Sequence, residues 1–423
     1  MSNQPPIAEL VNSELAAGSG GSPSPNTNAA IIALAAGAFT IGTTEFLPSA
    51  LLPTISRDLS VSISAAGLLV SGYALGVTLA APFVSAFLLN APQRKSLMWL
   101  MLLYFVTNIL AAFAPSYQFL MLMRFVNAFG HGAFFAIAAH VASRLVGRGR
   151  EASAIGFVFC GLSLAMATIV PVGSLIGQSL GWRIPFAFAG LLGLTAAGLI
   201  ARYIPDTIKG ETPPSFKDSL PALRQPQMLL AFAIATVSWA GIFCAYTYIP
   251  TILESVSGLS PAALMLVLCL IGLGITAGNF LGGRAADGNL HGGVIGIFLA
   301  ILAGLLAFGW AAPNPIAASV SAIALSVFIF SANPGMQLMV LRQATSKAPG
   351  TESVAGGLNQ SFFNLGIAAG AFIGAHVVDS AWGIRATPFV GAILLLFGIA
   401  LTMLSWAISR SEESIETIAC AEA

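Results

Sequence analysis

Residues 29–55 read AAIIALAAGAFTIGTTEFLPSALLPTI, an apolar run interrupted by one charge, Glu45. A bilayer's hydrocarbon core is about 30 Å thick and takes roughly 20 helical residues to cross, so this stretch is long enough to span it. Runs of the same kind follow near 62–88, 96–114, 117–142, 152–177 and 183–203. They resume after a polar stretch near 228–253, 261–285, 291–311, 315–341, 353–378 and 385–409. The expectation is an all-α membrane protein of twelve transmembrane helices.

Composition supports lipid as the solvent. Charged residues are 8% of the 423 and hydrophobic ones 57%, against about 25% charged in soluble chains. Such a chain cannot clothe a water-facing surface, whereas in a bilayer apolar side chains face outward. The net charge of +1 gives no reason to expect a nucleic-acid partner. Cys160, Cys244, Cys269 and Cys420 lack metal or redox spacing. Residues 1–28 are rich in Ser, Pro, Gly and Asn and read as a disordered tail.

Basic residues orient the helices. With the N-terminus in the cytoplasm, that side receives Arg94, Lys95, Arg144, Arg148, Arg150, Arg202, Lys209, Lys217, Arg224, Arg284, Arg342, Lys347 and Arg410. The outside receives Arg57, Arg183 and Arg385, and Arg124 falls inside a span. Both termini are thus expected to be cytoplasmic, with 410–423 as a C-terminal tail. The polar segment 204–227 divides the spans into two six-helix bundles, 29–203 and 228–409. Pro53-Thr54-Ile55 followed by Ser64-Ala65-Ala66 is echoed by Pro250-Thr251-Ile252 followed by Ser260-Pro261-Ala262-Ala263. Two pseudo-symmetric halves imply a duplicated secondary transporter whose site lies between them near the midplane.

Glu45 is the acidic residue well inside a span, and Arg124 the basic one. Counted from the outer helix ends at 1.5 Å per residue, they lie about 15 and 12 Å deep. Charge at that depth is expensive and is read as functional by default. Two readings stand: a buried ion pair locking helix 1 to helix 4, or a carboxylate that exchanges a proton or binds substrate. Burial and the nearby guanidinium would together set its proton affinity. His131, seven residues beyond Arg124, shares its helix face and could join a proton relay or simply pack. His140, near the cytoplasmic end, reads as a packing residue, and His376 lies on helix 11.

Candidates for the substrate cavity are Trp239, Phe243 and Tyr246 on helix 7, Asn333 and Gln337 on helix 10, and Asn359 and Asn364 on helix 11. Aromatic surfaces with few polar groups suit a lipophilic ligand. Gly366, Gly370 and Gly374 recur at four-residue spacing and allow close helix packing. Gly177-Gln178-Ser179-Leu180-Gly181 matches a hydrolase nucleophile pattern but falls in a turn between apolar spans, not on a strand-to-helix elbow. No phosphate-binding or dinucleotide fingerprint is present. A membrane-embedded enzyme would need clustered catalytic groups within the spans, so no enzyme activity is expected. A channel would need continuous polar rows along several helices.

The chain resembles the major facilitator superfamily, in particular bacterial drug:proton antiporters near the arabinose-efflux and chloramphenicol-efflux groups. The resemblance covers about residues 30–409. It is carried by Gly42-Thr43-Thr44-Glu45-Phe46 running to Leu52-Pro53, by Ala65-Ala66-Gly67, Tyr73-Ala74-Leu75-Gly76 and Ala81-Pro82. Arg124 and Gly130-His131-Gly132-Ala133-Phe134-Phe135 continue it. The family's loop 2–3 signature is altered: Arg94 and Lys95 hold the basic positions, but Ala86 and Asn90 replace its Gly and Asp. The second-half copy keeps Gly283, Arg284 and Asp287. The helix 5 antiporter signature is partial, with Pro171, Gly173 and Gly177 present but Val170 in place of a glycine.

The resemblance implies the major facilitator fold and alternating access, with Arg94, Lys95, Pro171, Gly173, Gly177, Gly283, Arg284 and Asp287 shaping conformational change. It implies that Glu45 and Arg124 take part in proton coupling. The resulting expectation is a bacterial inner-membrane monomer that exports small lipophilic, amphenicol-like compounds against a proton gradient, without a cofactor. Export of sugars or nucleobases, or uptake symport, are the alternatives.

Overall fold

A computed structural model describes residues 25–88, 91–146, 151–208, 224–287, 290–347 and 352–422. Helices α1 (Pro25–Asp58), α2 (Ile63–Leu88), α3 (Gln93–Ala112) and α4 (Tyr117–Leu145) are the first four spans. The fifth is α5 (Glu151–Ala167) with α6 (Ile169–Leu180), and the sixth is α7 (Arg183–Tyr203). The seventh is α8 (Pro226–Tyr246) with α9 (Ile249–Ser255). Spans eight to eleven are α10 (Pro261–Asp287), α11 (Leu290–Ala311), α12 (Pro315–Lys347) and α13 (Glu352–Asp379). A 3-10 turn, Ile384–Ala386, leads into α14 (Thr387–Glu422), the twelfth. All twelve are long and apolar enough to cross a membrane. No described residue is in a strand.

Several edges differ from those read in the sequence. Helix α1 begins at Pro25, α12 runs on to Lys347, and α14 continues through 410–422, where the polar sequence predicts a tail. Hydropathy marks only the lipid-embedded length. A helix satisfies its own backbone and can continue past the point where its side chains become polar. Residues 1–24 of the expected N-terminal tail and 209–223 of the expected connection lie outside the described residues.

One packing pattern occurs twice. Span 2 lies on 4 as 8 lies on 10; 3 on 6 as 9 on 12; 1 on 5 and 6 as 7 on 11 and 12. Between the halves, span 2 packs on 11 and span 5 on 8, contacts that interchange when the halves are exchanged. The glycines of α13 work as packing surfaces: a side chain at Gly366, Gly370 or Gly374 would run into the α8 backbone carbonyls of Thr236, Ala240 or Cys244. On the face opposite the termini, three turns pivot on left-handed glycines, Gly181, Gly258 and Gly383, where a β-carbon would be strained.

The halves meet asymmetrically. On the face opposite the termini they share one apolar core, with Leu51, Ile55 and Leu69 from one half and Ile249, Ile252 and Leu264 from the other. Polar ties cross the same seam. Ser64 Oγ donates to Asp379 Oδ2 at 2.6 Å, and Arg57 lies 3.8 Å from Glu254. Toward the termini the cores separate, one built only from the first half and one only from the second. Among the described residues, the halves therefore share a core on the far face and keep separate cores toward the termini.

Gly272 of α10 marks a tight point of the closed seam, because its missing side chain makes room for the Ala167 backbone at the junction of α5 and α6. Gly272→Trp is therefore expected to hold the far face open. A cysteine placed at Ser64 should then react with a membrane-impermeant maleimide several-fold faster than in the Gly272 protein. Equal labelling rates would show that the seam does not depend on this contact.

Candidate functional site

The site grows from a proline. Pro48 lies inside α1 and has no N–H to offer the carbonyl four residues back, that of Thr44. A carbonyl stripped of its helical partner in the membrane interior needs another donor. Arg124 of α4 supplies it: Nη1 donates to Thr44 O at 2.5 Å and Nη2 to Glu45 O at 3.4 Å. The guanidinium rests over the Tyr73 ring of α2, 4.2 Å from its centroid. Arg124 is 2% exposed, so its charge is met by backbone dipoles and a π face.

Glu45 and Arg124 thus share one polar cluster, and among the described residues they form no direct ion pair. The arginine's hydrogen bonds go to the α1 backbone. No described side chain donates a hydrogen bond to either Glu45 carboxylate oxygen, and the side chain is 11% exposed. Its nearest cationic or imidazole neighbour is His131, whose Nδ1 lies 3.8 Å from Oε2, beyond hydrogen-bonding distance. The seven-residue spacing does bring His131 to the Arg124 face, and both meet Tyr73.

Residues absent from the sequence candidates complete the cluster. Tyr73 Oη lies 3.1 Å from Tyr104 Oη of α3 and 3.2 Å from His131 Nδ1. Asn108 donates to Thr44 Oγ1 at 3.3 Å and to Tyr104 O at 2.8 Å. Asn127 donates to Thr107 Oγ1, which donates in turn to Leu103 O at 2.6 Å. Pro48, four residues after Thr44, was a readable signal for an orphaned carbonyl. Tyr104 left no such mark, because only the packing of α3 on α4 brings it to Tyr73.

Phe46, next to Glu45, carries α1 across to the second half. Its ring lies 6.4 Å from Tyr246 and 6.3 Å from Phe330. Tyr246 stands 5.1 Å from Phe243, and Trp239 within 5.3–5.6 Å of Phe243, Phe330 and Phe363. Three candidates, Trp239, Phe243 and Tyr246, therefore join Phe46, Phe330 and Phe363 in one aromatic cluster between the bundles. An apolar cleft lined by Phe46, Ser49, Met166, Tyr246, Leu268 and Ile271 adjoins it. Trp239 Nε1 is buried without a hydrogen-bond partner.

The amides divide. Asn359 donates to Gln337 Oε1 at 2.6 Å and ties span 11 to span 10. Asn364 donates to Gln360 O in its own helix, leaving its Oδ1 buried and unpartnered. Asn333 is half-buried beside Pro334.

The remaining candidates are structural in this conformation or lie outside the described side chains. Arg94 pairs with Asp206 at 2.6 Å and also donates to Ala201 O, clamping α3 to the end of α7 inside the first bundle. Lys95 is exposed. Helix geometry breaks at Thr168, three residues before Pro171. Gly173 and Gly177 admit Leu47 and Leu51 of α1. Gly283, Arg284 and Asp287 fall in the last turns of α10, and their side chains lie outside the described residues. His376 bonds the Phe372 carbonyl on its own helix at 2.9 Å and is exposed.

Arg124→Ala would leave the Thr44 carbonyl buried without a donor, a loss of about 1–3 kcal/mol. It should appear as a lower melting temperature in detergent. Pro48→Ala restores an N–H four residues after Thr44, so the double variant should recover part of that loss. A strictly additive pair would separate Arg124 from the proline.

The family profile described as Major Facilitator Superfamily matches residues 34–354. Among curated proteins, the inner membrane transport protein YdhP of Escherichia coli (strain K12) is 37% identical over 388 residues, covering 92% of this chain and 98% of that protein. A chloramphenicol resistance protein of Streptomyces lividans is 29% identical over 371 residues, covering 86% and 93%. Among solved structures, a bacterial homologue of the human lysosomal transporter Spinster, inward-facing and unoccupied, superposes with a TM-score of 0.74 at 15% identity. It covers 91% of this chain and 98% of that one. Twelve apolar helices packed as two repeated bundles, together with these matches, mark a multi-pass membrane transporter and not an enzyme: the chain belongs to the Major Facilitator Superfamily.

Proposed function

We propose that this protein is a proton-driven antiporter exporting small lipophilic compounds across the bacterial inner membrane, with both termini in the cytoplasm. The observation that carries the reading is the Glu45 carboxylate. It is nearly buried, has no hydrogen-bond donor among the described residues, and stands one residue from the aromatic ring that bridges the two halves. A carboxylate left without donors in an apolar interior can lose its charge by taking a proton. The adjoining Phe46, Tyr246, Trp239 and Phe330 rings offer an apolar surface to the substrate. The likeness to a chloramphenicol resistance protein supports an amphenicol-like substrate.

With the termini in the cytoplasm, the face on which the two cores separate is the cytoplasmic one, an arrangement that suits substrate loading. Substrate enters between the bundles and the cytoplasmic side closes. On the outer side a proton reaches Glu45 as substrate leaves, and the return to the inward state releases that proton to the cytoplasm. A single chain encloses both the carboxylate and the aromatic cluster, so the monomer is the working unit.

The test is flux in proteoliposomes under an imposed pH gradient, with chloramphenicol at the head of a compound panel. Transport should run opposite to the proton. Glu45→Gln should abolish gradient-driven accumulation while leaving substrate exchange at equal pH. Full proton coupling in Glu45→Gln would sink the proton-site reading, and flux in the proton's direction would identify a symporter.

A further inference from the structure

Two buried tyrosines and His131 form a chain whose hydrogen atoms can be counted. Tyr104 Oη contacts Tyr73 Oη at 3.1 Å, and Tyr73 Oη contacts His131 Nδ1 at 3.2 Å. Tyr104, Tyr73 and His131 are 0%, 2% and 3% exposed. Among the described residues the Tyr104 hydroxyl has no partner besides Tyr73. Each phenol carries one O–H, and a neutral imidazole offers one donor nitrogen and one acceptor nitrogen.

If Nδ1 carried a proton, three hydrogens would compete for two contacts and one buried O–H would go without an acceptor. That costs about 1–3 kcal/mol. If Nδ1 is bare, both phenol hydrogens are satisfied: Tyr104 donates to Tyr73, Tyr73 donates to Nδ1, and the imidazole proton sits on Nε2, which is not among the sealed polar atoms that lack a partner. The same Nδ1 is the imidazole nitrogen that lies 3.8 Å from Glu45 Oε2. A bare Nδ1 gives that carboxylate no hydrogen bond.

We propose that the Tyr73 hydroxyl is a positioning group that holds His131 as its Nε2–H tautomer and so withholds the nearest imidazole donor from Glu45. Tyr73 serves Arg124 with its ring face and His131 with its hydroxyl, so one side chain on α2 sets both neighbours of the carboxylate. The inference rests on Glu45 being the proton site.

The other titratable groups around Glu45 do not replace this donor. Span 4 brings Arg124, bound to backbone carbonyls, and His140 toward its terminal end. Span 3 brings Tyr104. From α5 comes Cys160, which is exposed; α6 has none, and α7 carries Arg183 at the far face, bonded to Asp58. From the second half come Tyr246 in the aromatic cluster, Glu254 beside Arg57, and His376 and Asp379 of α13, which packs on α2.

The experiment is nitrogen-15 NMR of the full chain in lipid nanodiscs at neutral pH. The chain is labelled at its four histidines, and His131→Gln assigns the signal. The natural protein should show His131 protonated at Nε2 and bare at Nδ1. Tyr73→Phe, which keeps the ring under Arg124, should shift proton population to Nδ1. Tyr104→Phe leaves the Tyr73 O–H in place and should not. Freed to donate, Nδ1–H then stabilises the ionised carboxylate. The midpoint of the transport pH profile in Tyr73→Phe should accordingly shift several-fold in proton concentration.

A natural protein with Nδ1 protonated overturns the proposal, and it does so even if Tyr73→Phe fails to fold. An unchanged tautomer or an unmoved midpoint in Tyr73→Phe also overturns it. Retained proton coupling in Glu45→Gln would instead remove the proton-site reading and leave the tautomer result standing.

Discussion

The first bundle turns on Arg124 holding the backbone of α1. A guanidinium in the membrane interior is tolerable only when its N–H groups find acceptors. Pro48 creates one by removing the helical partner of the Thr44 carbonyl. The bond between them fixes α1 against α4, presses Tyr73 of α2 into the gap, and leaves the Glu45 carboxylate without a donor. An arginine that neutralised Glu45 directly would make a lock. An arginine satisfied by the backbone leaves the carboxylate's charge state open, and the proton coupling proposed above needs that freedom.

The same segment connects the charged cluster to the rest of the molecule. Glu45 faces the polar groups of the first half, while the neighbouring Phe46 reaches the rings of the second. Successive helical residues point about 100° apart, so one turn of α1 presents a titratable group to one bundle and an aromatic surface to the other. Any rocking of the bundles that shifts Phe46 against Tyr246 and Phe330 also moves the backbone that Arg124 holds. Under the proposed function this is a short mechanical path between substrate and proton, built from covalent neighbours and two hydrogen bonds.

The clamps at the ends of the first bundle show what stays rigid. Arg94 bonds Asp206 and the Ala201 carbonyl on the terminal side. Arg183 bonds Asp58 and the Ala114 carbonyl on the far side, with Trp182 stacked on it and donating to Asp58 at 3.0 Å. These charges stay within one half. Among the described residues, the charged cross-half ties, Ser64 with Asp379 and Arg57 with Glu254, lie near the water face, where they can break without leaving a buried charge, and deeper in the seam Thr78 Oγ1 donates to the Ser361 carbonyl at 3.2 Å. That distribution suits two rigid bodies moving against a breakable seam.

The amino-acid sequence by itself determined the number of spans, their division into two echoing halves, and the isolation of Glu45 and Arg124. Each is a one-dimensional property: apolar length against bilayer thickness, an internal repeat, and the rarity of charge in a hydrophobic run. It also placed His131 on the Arg124 face, since helical periodicity is local. Tertiary structure alone decided that Arg124 binds carbonyls and leaves the carboxylate free, because that depends on the distance between α1 and α4. It alone brought Tyr104 to Tyr73, assembled Phe46 with Phe330 and Phe363, and paired Asn359 with Gln337. These contacts join residues far apart in the chain, and their geometry comes from how helices pack, which no spacing within a single helix records.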